Sequence, residues 1–417
     1  MIYNYSVLGI DILDDEFICA DHFSDQHLRN FILSGAGTQR CKYCETPKAC
    51  SSLTRLARHI EEGIRSEYED PYLRGVAYDS DAEFYEDRFP GVHVHSTIHV
   101  LESEIEVDEF EILEDISAFF ENEYWSELDN MFSLSKHDIM YQGWEAFRYI
   151  LKHEVRYLFF SESWKETNSV DYGDDINPYL ILDEVAGAIE RLNLFRKYPI
   201  GRFRVFRGRQ HDKEINKNAH DLGSPPRENA RANRMSPSGI PMFYGAFDVT
   251  TCELEVVDLS WGNSRITIGE FINLSPLNLI DFGKSSFIPS LFDLDERKHR
   301  AVGRFIESFV SDLSIPVSLD DKDHLEYVPT QVVTEFLKTF FSRNGKVDGI
   351  IYNSVKNPPG KCVVLFCPNG SITDITDSSM ENLLSINSNL TEPFVLGLNT
   401  RNYFYDIQIT PDDSNSE

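Results

Sequence analysis

The sequence predicts an α+β chain, with a cysteine-bearing N-terminal module and a helical stretch ahead of a strand-rich C-terminal half. Apolar residues recur at helical spacing between 52 and 197. Past Pro199-Ile200-Gly201 the texture changes to short β-branched and aromatic runs. Helical runs interrupt these without the regular strand–helix alternation of a parallel α/β fold. A length of 417 residues admits two or three domains. The expected division is 1–51, 52–197 and 198–395, with a tail over 396–417.

The N-terminal module carries two spaced ligand pairs. Cys19 and His22 form C-x-x-H, and Cys41 and Cys44 form C-x-x-C within QRCKYCETPK. Each tight turn presents two donors, and pairs about twenty residues apart suit a tetrahedral structural zinc. Three thiolates and one imidazole close the shell and leave no catalytic position open. Cys50 is a spare donor or an alternative to His22, and a set of reduced, half-buried cysteines is the plain rival reading. The module is therefore expected to be zinc-ribbon-like.

In the helical stretch, Ser52 is placed to cap LTRLARHIEEGIRSEYE. DEFEILEDISAFFENEYWSELDNMF, GWEAFRYILKHEVRYLFF and NPYLILDEVAGAIERLNLFRKY follow as helices, the last opened by Pro178 in its first turn. The breaks EDPYLRG, DRFPGVHVH and SVDYGDDINP separate them. Arg148 and His153, in FRYILKH, have the R-x4-H spacing of ribonucleases of the HEPN helical superfamily. Residues five apart do not quite share a helix face, so the pair reads as surface charge beside a packed apolar helix.

In the C-terminal half FRVF, MFYGAF, RITIGEFINL, GIIYN and CVVLF read as strands, and RKHRAVGRFIESFVSDL and TQVVTEFLKTFFSRNG as helices. DVTTCELEVVDL is a further helix, with Asp248 or Thr250 as its cap and Glu255 on it. The closing TPDDSNSE reads as disordered.

Composition narrows the function classes. At 41% hydrophobic and 12% aromatic residues the chain can bury a core, which excludes a disordered or collagenous protein. No apolar run approaches the ~20 residues of a membrane span, and MIYNYSVLGIDILDDEF lacks the basic start of a secretory signal. Seven cysteines, an odd number, suit a reducing cytoplasm better than a disulfide scaffold. A net charge of -30 repels nucleic-acid phosphates. Against that background, residues 196–234 hold eleven Lys and Arg but four Asp and Glu. This local excess is either a docking patch for the chain's own acids or a site for a small anion.

The constellation from Phe203 to Glu255 favours the anion. FRVFRGRQ delivers Arg207 and Arg209 from a strand; Arg234 follows in a polar loop, Tyr244 on an aromatic strand and Glu255 on the next helix. Later, VDGIIYNSVKNPPGKCVVLF places Ser354 at the opening of a loop between strands. A guanidinium fork matches phosphate oxygens, an aromatic ring stacks on a planar base, and a carboxylate stabilises a developing oxocarbenium ion. Two phosphates, an aromatic base and a labile N-glycosidic bond together describe NAD. The sequence has neither a Walker loop nor a G-x-G-x-x-G that opens a helix after a strand. Each residue has a plain alternative. The arginines could bridge to acidic helices, Tyr244 could be core, Glu255 a solvent-facing acid with Glu253 as its competitor, and Ser354 a turn residue.

The run from VFRGRQ through NRMSPSGIPMFYGA and ELEV, then YVPTQVVTEFL and DGIIYNSVKNPPGKCVVLF, resembles the RES domain over about half of the chain. The N-terminal half, with CADHFSDQHL and CKYC, is similar to the HEPN/RES N-terminal region fused to such domains. The resemblance implies an ADP-ribosyltransferase-like, split β-sheet domain after a HEPN-like helical domain. It implies a toxin or anti-phage effector that consumes NAD, as an NAD glycohydrolase or NAD phosphorylase. An ADP-ribosyltransferase acting on a macromolecule is the alternative, and a HEPN-type ribonuclease with a nucleotide-sensing RES domain a further one. The family's positions fall on Arg207, Arg234, Tyr244, Glu255 and Ser354. Arg207 and Arg234 would clamp the pyrophosphate, Tyr244 would stack on nicotinamide or its ribose, Glu255 would stabilise the oxocarbenium, and Ser354 would orient the nicotinamide end or the nucleophile. Asn353, Lys356 and Asn357 are weaker neighbours. Gly208 stands where some members carry an aromatic, NRM replaces the usual Gly-Arg-aromatic, and the stretch 274–327 reads as an insertion over the site. NAD as substrate and a structural zinc are the expected small-molecule partners. A neutralising antitoxin or immunity protein and a homo-oligomer are the expected macromolecular ones, with no membrane and no nucleic acid.

Overall fold

The computed structural model describes residues 16–74, 79–82, 88–89, 92–128, 136–157, 177–284, 286–314, 323–339, 341, 345–376, 383–387, 390–391, 394–400 and 404–409. The expected disorder of TPDDSNSE and the break SVDYGDDINP fall outside these residues, apart from the last two of the break. The chain divides into two compact units, Met1–Asp138 with Ile288–Val302, and Ile139–Phe287 with Gly303–Glu417.

In the first unit β1 (Phe17–Cys19), β2 (Gly37–Arg40) and β3 (Pro47–Ser52) form an antiparallel sheet ordered β1-β3-β2. Asp25 accepts from the amides of His27 and Leu28 at 2.8 and 2.9 Å and starts the helix Gln26–Ser34. Ser52 accepts from Arg55 N at 3.3 Å and starts the helix Leu53–Ile64, as its residue type and position predict. Leu53, Leu56, Ile60 and Ile64 turn one face of that helix into a core shared with Ile32, Trp125, Leu291 and Phe292. The segment Ile288–Val302 is held here by Arg300, which is buried. Its guanidinium donates to Glu67 Oε1 at 2.8 Å, Glu104 Oε2 at 2.6 Å and the Pro289 carbonyl at 2.8 Å.

The stretch read as helical also contains strands β4 (Tyr68–Glu69), β5 (Val94–Ser96) and β6 (Tyr124–Glu127), in the order β4-β6-β5. The run beginning DEFEILEDIS is helical over Glu111–Ser117 and then extended at YWSE. Strands of two to four residues are too short to show an alternation.

Among the described residues the second unit holds most of the helix Lys136–His153, the helix Ile181–Arg191 and a ten-stranded mixed sheet. Its strands are β7 (Phe195–Tyr198), β8 (Arg204–His211), β9 (Phe243–Ala246), β10 (Ser264–Asn273), β11 (Leu277–Asp281), β12 (Gly349–Asn353), β13 (Lys361–Leu365), β14 (Ile372–Ile375), β15 (Leu396–Asn399) and β16 (Tyr405–Ile409). They run β14-β15-β10-β8-β9-β13-β12-β11-β7, with β16 also on β10. Among the described residues only β11/β12 and β14/β15 pair in parallel. The expected tail over 396–417 is corrected here, because its first residues pair into the sheet as β15 and β16.

One seam matters for function. β8 pairs with β10 from Arg204 to His211, but with β9 only where Phe206 faces Ala246. The sheet is thus nearly divided at that point. A Cβ on Gly245 would lie 3.0 Å from the Phe206 carbonyl, so this approach depends on glycine.

Candidate active site and metal centre

A cavity of about 220 Å3 opens at the seam between β8 and β9. Arg207 enters it from β8. Its Nε donates to the carbonyls of Leu222 and Gly223 at 3.0 and 3.2 Å, and its Nη1 donates to the Tyr244 carbonyl at 2.6 Å. The side chain thereby ties two strands that share a single ladder pair, while lying 5.3 Å over the Phe243 ring. Among the described residues Nη2 has no acceptor, so its two N–H groups are left for a ligand. Burial, with the like charge of Arg209, pulls the guanidinium down to about 10, which leaves it charged at neutral pH.

Glu255 faces it from the helix Val249–Val256. Asp248 caps that helix by accepting from Thr251 N at 2.7 Å. Cys252, Glu255 and Val256 then share the face that lines the cavity, and Glu253 does not. Ser354 is buried, and its Oγ donates to Glu255 Oε1 at 2.6 Å while accepting from Asn357 N at 3.0 Å. A hydroxyl has one proton, so the amide at its back fixes the direction of the Ser354–Glu255 bond. Asn357 Nδ2 donates to Thr251 Oγ1 at 2.8 Å and Lys356 Nζ to the Glu255 carbonyl at 3.3 Å, which strap the loop to the helix. Burial and the negative charge of Glu255 push the Cys362 thiol up, so it stays protonated.

Tyr244 lines the cavity from β9, with its hydroxyl 2.9 Å from Ser236 Oγ. Burial raises the phenol to about 12 and keeps it neutral. A Cβ at Gly208 would meet Val256 and Ile268 at 3.2 Å, so the small residue here lets the helix lie against β8.

Arg207, Tyr244 and Glu255 therefore line this cavity, Ser354 stands behind Glu255 and reaches it only through that carboxylate, and two other predicted residues lie outside. Arg209 lies two positions along β8 and is half-buried. Arg234 lines a separate cavity of about 50 Å3 with Trp144, Arg148 and Asp312, and its Nη1 donates to the Leu313 carbonyl. Its neighbour Asn233 reaches the main cavity instead. Arg148 pairs with Glu145 at 2.5 Å and Asp312 at 3.3 Å, and His153 is exposed at the helix end. Sequence reasoning missed Asn233 and Tyr352. Tyr352 could have been found, since it precedes Ser354 by two and strand alternation puts both on one face. Asn233 carried no signal of its own.

In the first unit Cys19, His22, Cys41 and Cys44 bring their donor atoms within 4.8 Å of one another. Cys19 closes β1, His22 sits in the following turn, and Cys41 and Cys44 lie between β2 and β3. A zinc tetrahedron with bonds of about 2.3 Å has S–S edges of about 3.8 Å, and the Cys19 and Cys44 sulfurs are 3.8 Å apart. His22 Nδ1 lies 2.9 Å from both Asp108 oxygens and Nε2 lies 3.3 Å from Cys41 Sγ. That carboxylate anchors one ring nitrogen and aims the other at the cluster, the usual support of a metal-binding histidine. Cys50 stays outside the group and donates to the Gln39 carbonyl at 3.5 Å. The donor set fits a closed structural zinc.

Residues 203–379 match the family model of the RES domain, which spans every residue named for the cavity at the seam, and residues 35–165 match HEPN/RES N-terminal domain 1. No curated protein and no solved structure matches the chain. No helix among the described residues is long and apolar enough to cross a membrane.

Proposed function

The chain is a RES-domain protein with a HEPN/RES N-terminal region, a family of NAD-acting, toxin-like enzymes; from that premise we propose that it cleaves the bond between nicotinamide and ribose in NAD. The observation that carries this reading is Glu255, held from behind by Ser354 and set across one cavity from a guanidinium with free donors. About 220 Å3 is below the ~300–1,000 Å3 of a typical small-molecule site, so the cavity takes one end of the dinucleotide. We assign it the nicotinamide riboside end, in a domain of ADP-ribosyltransferase-like fold.

As the C–N bond breaks, its electron pair leaves with nicotinamide and positive charge develops on the ribose carbon. Glu255, oriented by Ser354, stabilises that charge and holds a ribose hydroxyl. Tyr244 and Tyr352 wall the ring. Arg207 Nη2 donates to the phosphate that follows the ribose, and Arg234, next to cavity-lining Asn233, takes the second phosphate. Water then adds to the ribose carbon and loses a proton, giving ADP-ribose; phosphate in its place gives the 1-phosphate. The zinc cluster serves the fold of the first unit, and no step passes through it. A ribonuclease reading is disfavoured because Arg148 is already held by Glu145 and Asp312.

The test is NAD consumption by the purified chain with nicotinamide and ADP-ribose resolved. Glu255→Gln should lower turnover by about 10²–10³, the scale of one lost charge-stabilising group. Turnover by the variant near that of the wild type would end the assignment. Label retained on a macromolecule would redirect it to a transferase.

A further inference from the structure

Arg234 and Asn233 belong to a turn that the rest of the fold suspends from two helices. Asn233 N donates to the Ser236 carbonyl at 2.8 Å, and Ser236 N returns to the Asn233 carbonyl at 3.2 Å. This closed turn puts Asn233 into the cavity and places the buried Ser236 hydroxyl 2.9 Å from Tyr244 OH. Each of the two carbonyls has one lone pair left after the turn closes. Both are taken by one side chain: Gln331 Nε2, on the helix Val328–Thr339, donates to the Asn233 carbonyl at 2.8 Å and to the Ser236 carbonyl at 3.3 Å. The preceding residue, Thr330, donates its hydroxyl to the Arg234 carbonyl. The Leu313 carbonyl, on the helix Arg300–Ser314, accepts from the Arg234 side chain.

We propose that Gln331 is a positioning residue for the reaction: its amide holds both ends of the 233–236 turn and so sets Asn233 and, through Ser236, the Tyr244 hydroxyl against the nicotinamide end of the substrate. Gln331 does not line the cavity, and it acts only through the turn. The inference rests on the NAD reading. A glutamine is needed there, since both acceptors are backbone oxygens and an acceptor in its place would repel them. Glutamate keeps the shape, loses the donors and sets a negative charge against two carbonyls, which makes Gln331→Glu the sharpest replacement. Gln331→Met keeps the volume without the charge and serves where the glutamate variant fails to fold.

The experiment measures NAD turnover and thermal midpoint for the full chain, for each Gln331 variant, and for the same change combined with Asn233→Ala and Tyr244→Phe together. Gln331→Glu or Gln331→Met should lower kcat/KM at least tenfold with a midpoint within a few degrees of the wild type. In the background that carries both Asn233→Ala and Tyr244→Phe, where both groups that the turn sets are already gone, the same change should cost less than threefold. Such non-additivity marks residues that act through one network. Wild-type rates in the Gln331 variants would overturn the inference, as would an equal fold-loss in both backgrounds, the mark of general loosening. A wild-type chain that leaves NAD intact would instead remove the reading on which the inference stands.

Discussion

Glu253 and Glu255 sit two positions apart on one helix, and sequence alone gives them the same chemistry. The cap at Asp248 fixes the helix phase, and the phase puts only Glu255 in the cavity. Glu253→Gln should therefore leave NAD turnover within about twofold, a surface-substitution effect. Ser354→Ala should behave differently. It strips a hydrogen bond from a charged carboxylate, worth about 1.5–3 kcal/mol, and leaves Asn357 N–H facing a void. Expected is a fall in kcat of about 10–100-fold with KM within about threefold, because Ser354 orients Glu255 and does not itself hold the substrate. A change in KM alone, measured by steady-state kinetics, would make Ser354 a binding residue instead. Arg207 shows why site residues are partly legible at this scale. An arginine after a β-branched and aromatic run announces an anion, but that Arg207 sits within β8 and bonds three backbone carbonyls, one of them Tyr244's across the seam, could be seen only once β8 and β9 were placed.

Elements were legible where a cap or a long period announced them. Ser52 and Asp248 start the helices predicted for them, and the runs FRVF, MFYGAF, RITIGEFINL, GIIYN and CVVLF are all strands. The missed strands are short or lie toward the sheet margins. β7 hides in FRKY at the end of a predicted helix, and among the described residues β16 pairs only with β10. Such strands form because a neighbour offers unpaired carbonyls and amides, which no local pattern records. The Cys3His donor group is the same kind of case in reverse. Its two ligand pairs were visible, but His22 rather than Cys50 completes the group because Asp108, 86 positions away, anchors the ring. Atomic emission should find about one zinc per purified chain. Cys41→Ser with Cys44→Ser should lose it and lower the thermal midpoint, and Asp108→Ala should weaken binding about 10–100-fold. A metal-free wild type whose midpoint is unmoved by added zinc would make these ordinary thiols.

At the scale of the molecule, the basic segment in an acidic chain resolves into both of its readings at once. Arg196 pairs with Asp281 at 3.2 Å, Arg204 with Glu270 at 3.3 Å and Lys217 with Asp406, so part of the excess meets the unit's own acids. Arg207 keeps donors for an anion. The boundary expected near 198 is more consequential. Trp144, upstream of it, packs edge-on against Phe309 at 4.9 Å and donates to Asp312 at 3.0 Å. Downstream, Leu291 and Phe292 are buried with Ile64 and Trp125, and Arg300 with Glu67 and Glu104. A fragment starting at 198 would uncover Phe309, Leu291, Phe292 and an unpaired Arg300 together. Exposing each large apolar side chain costs about 1.5–3 kcal/mol, and the total rivals the ~5–15 kcal/mol that holds a domain folded. The 198–417 fragment should therefore aggregate, or melt well below the full chain without a cooperative transition, and show no NAD turnover. Circular dichroism melting and size-exclusion chromatography decide it: a monomeric fragment with a sharp melt and full-chain turnover would show that the C-terminal half folds and acts alone, and that these buried contacts are dispensable.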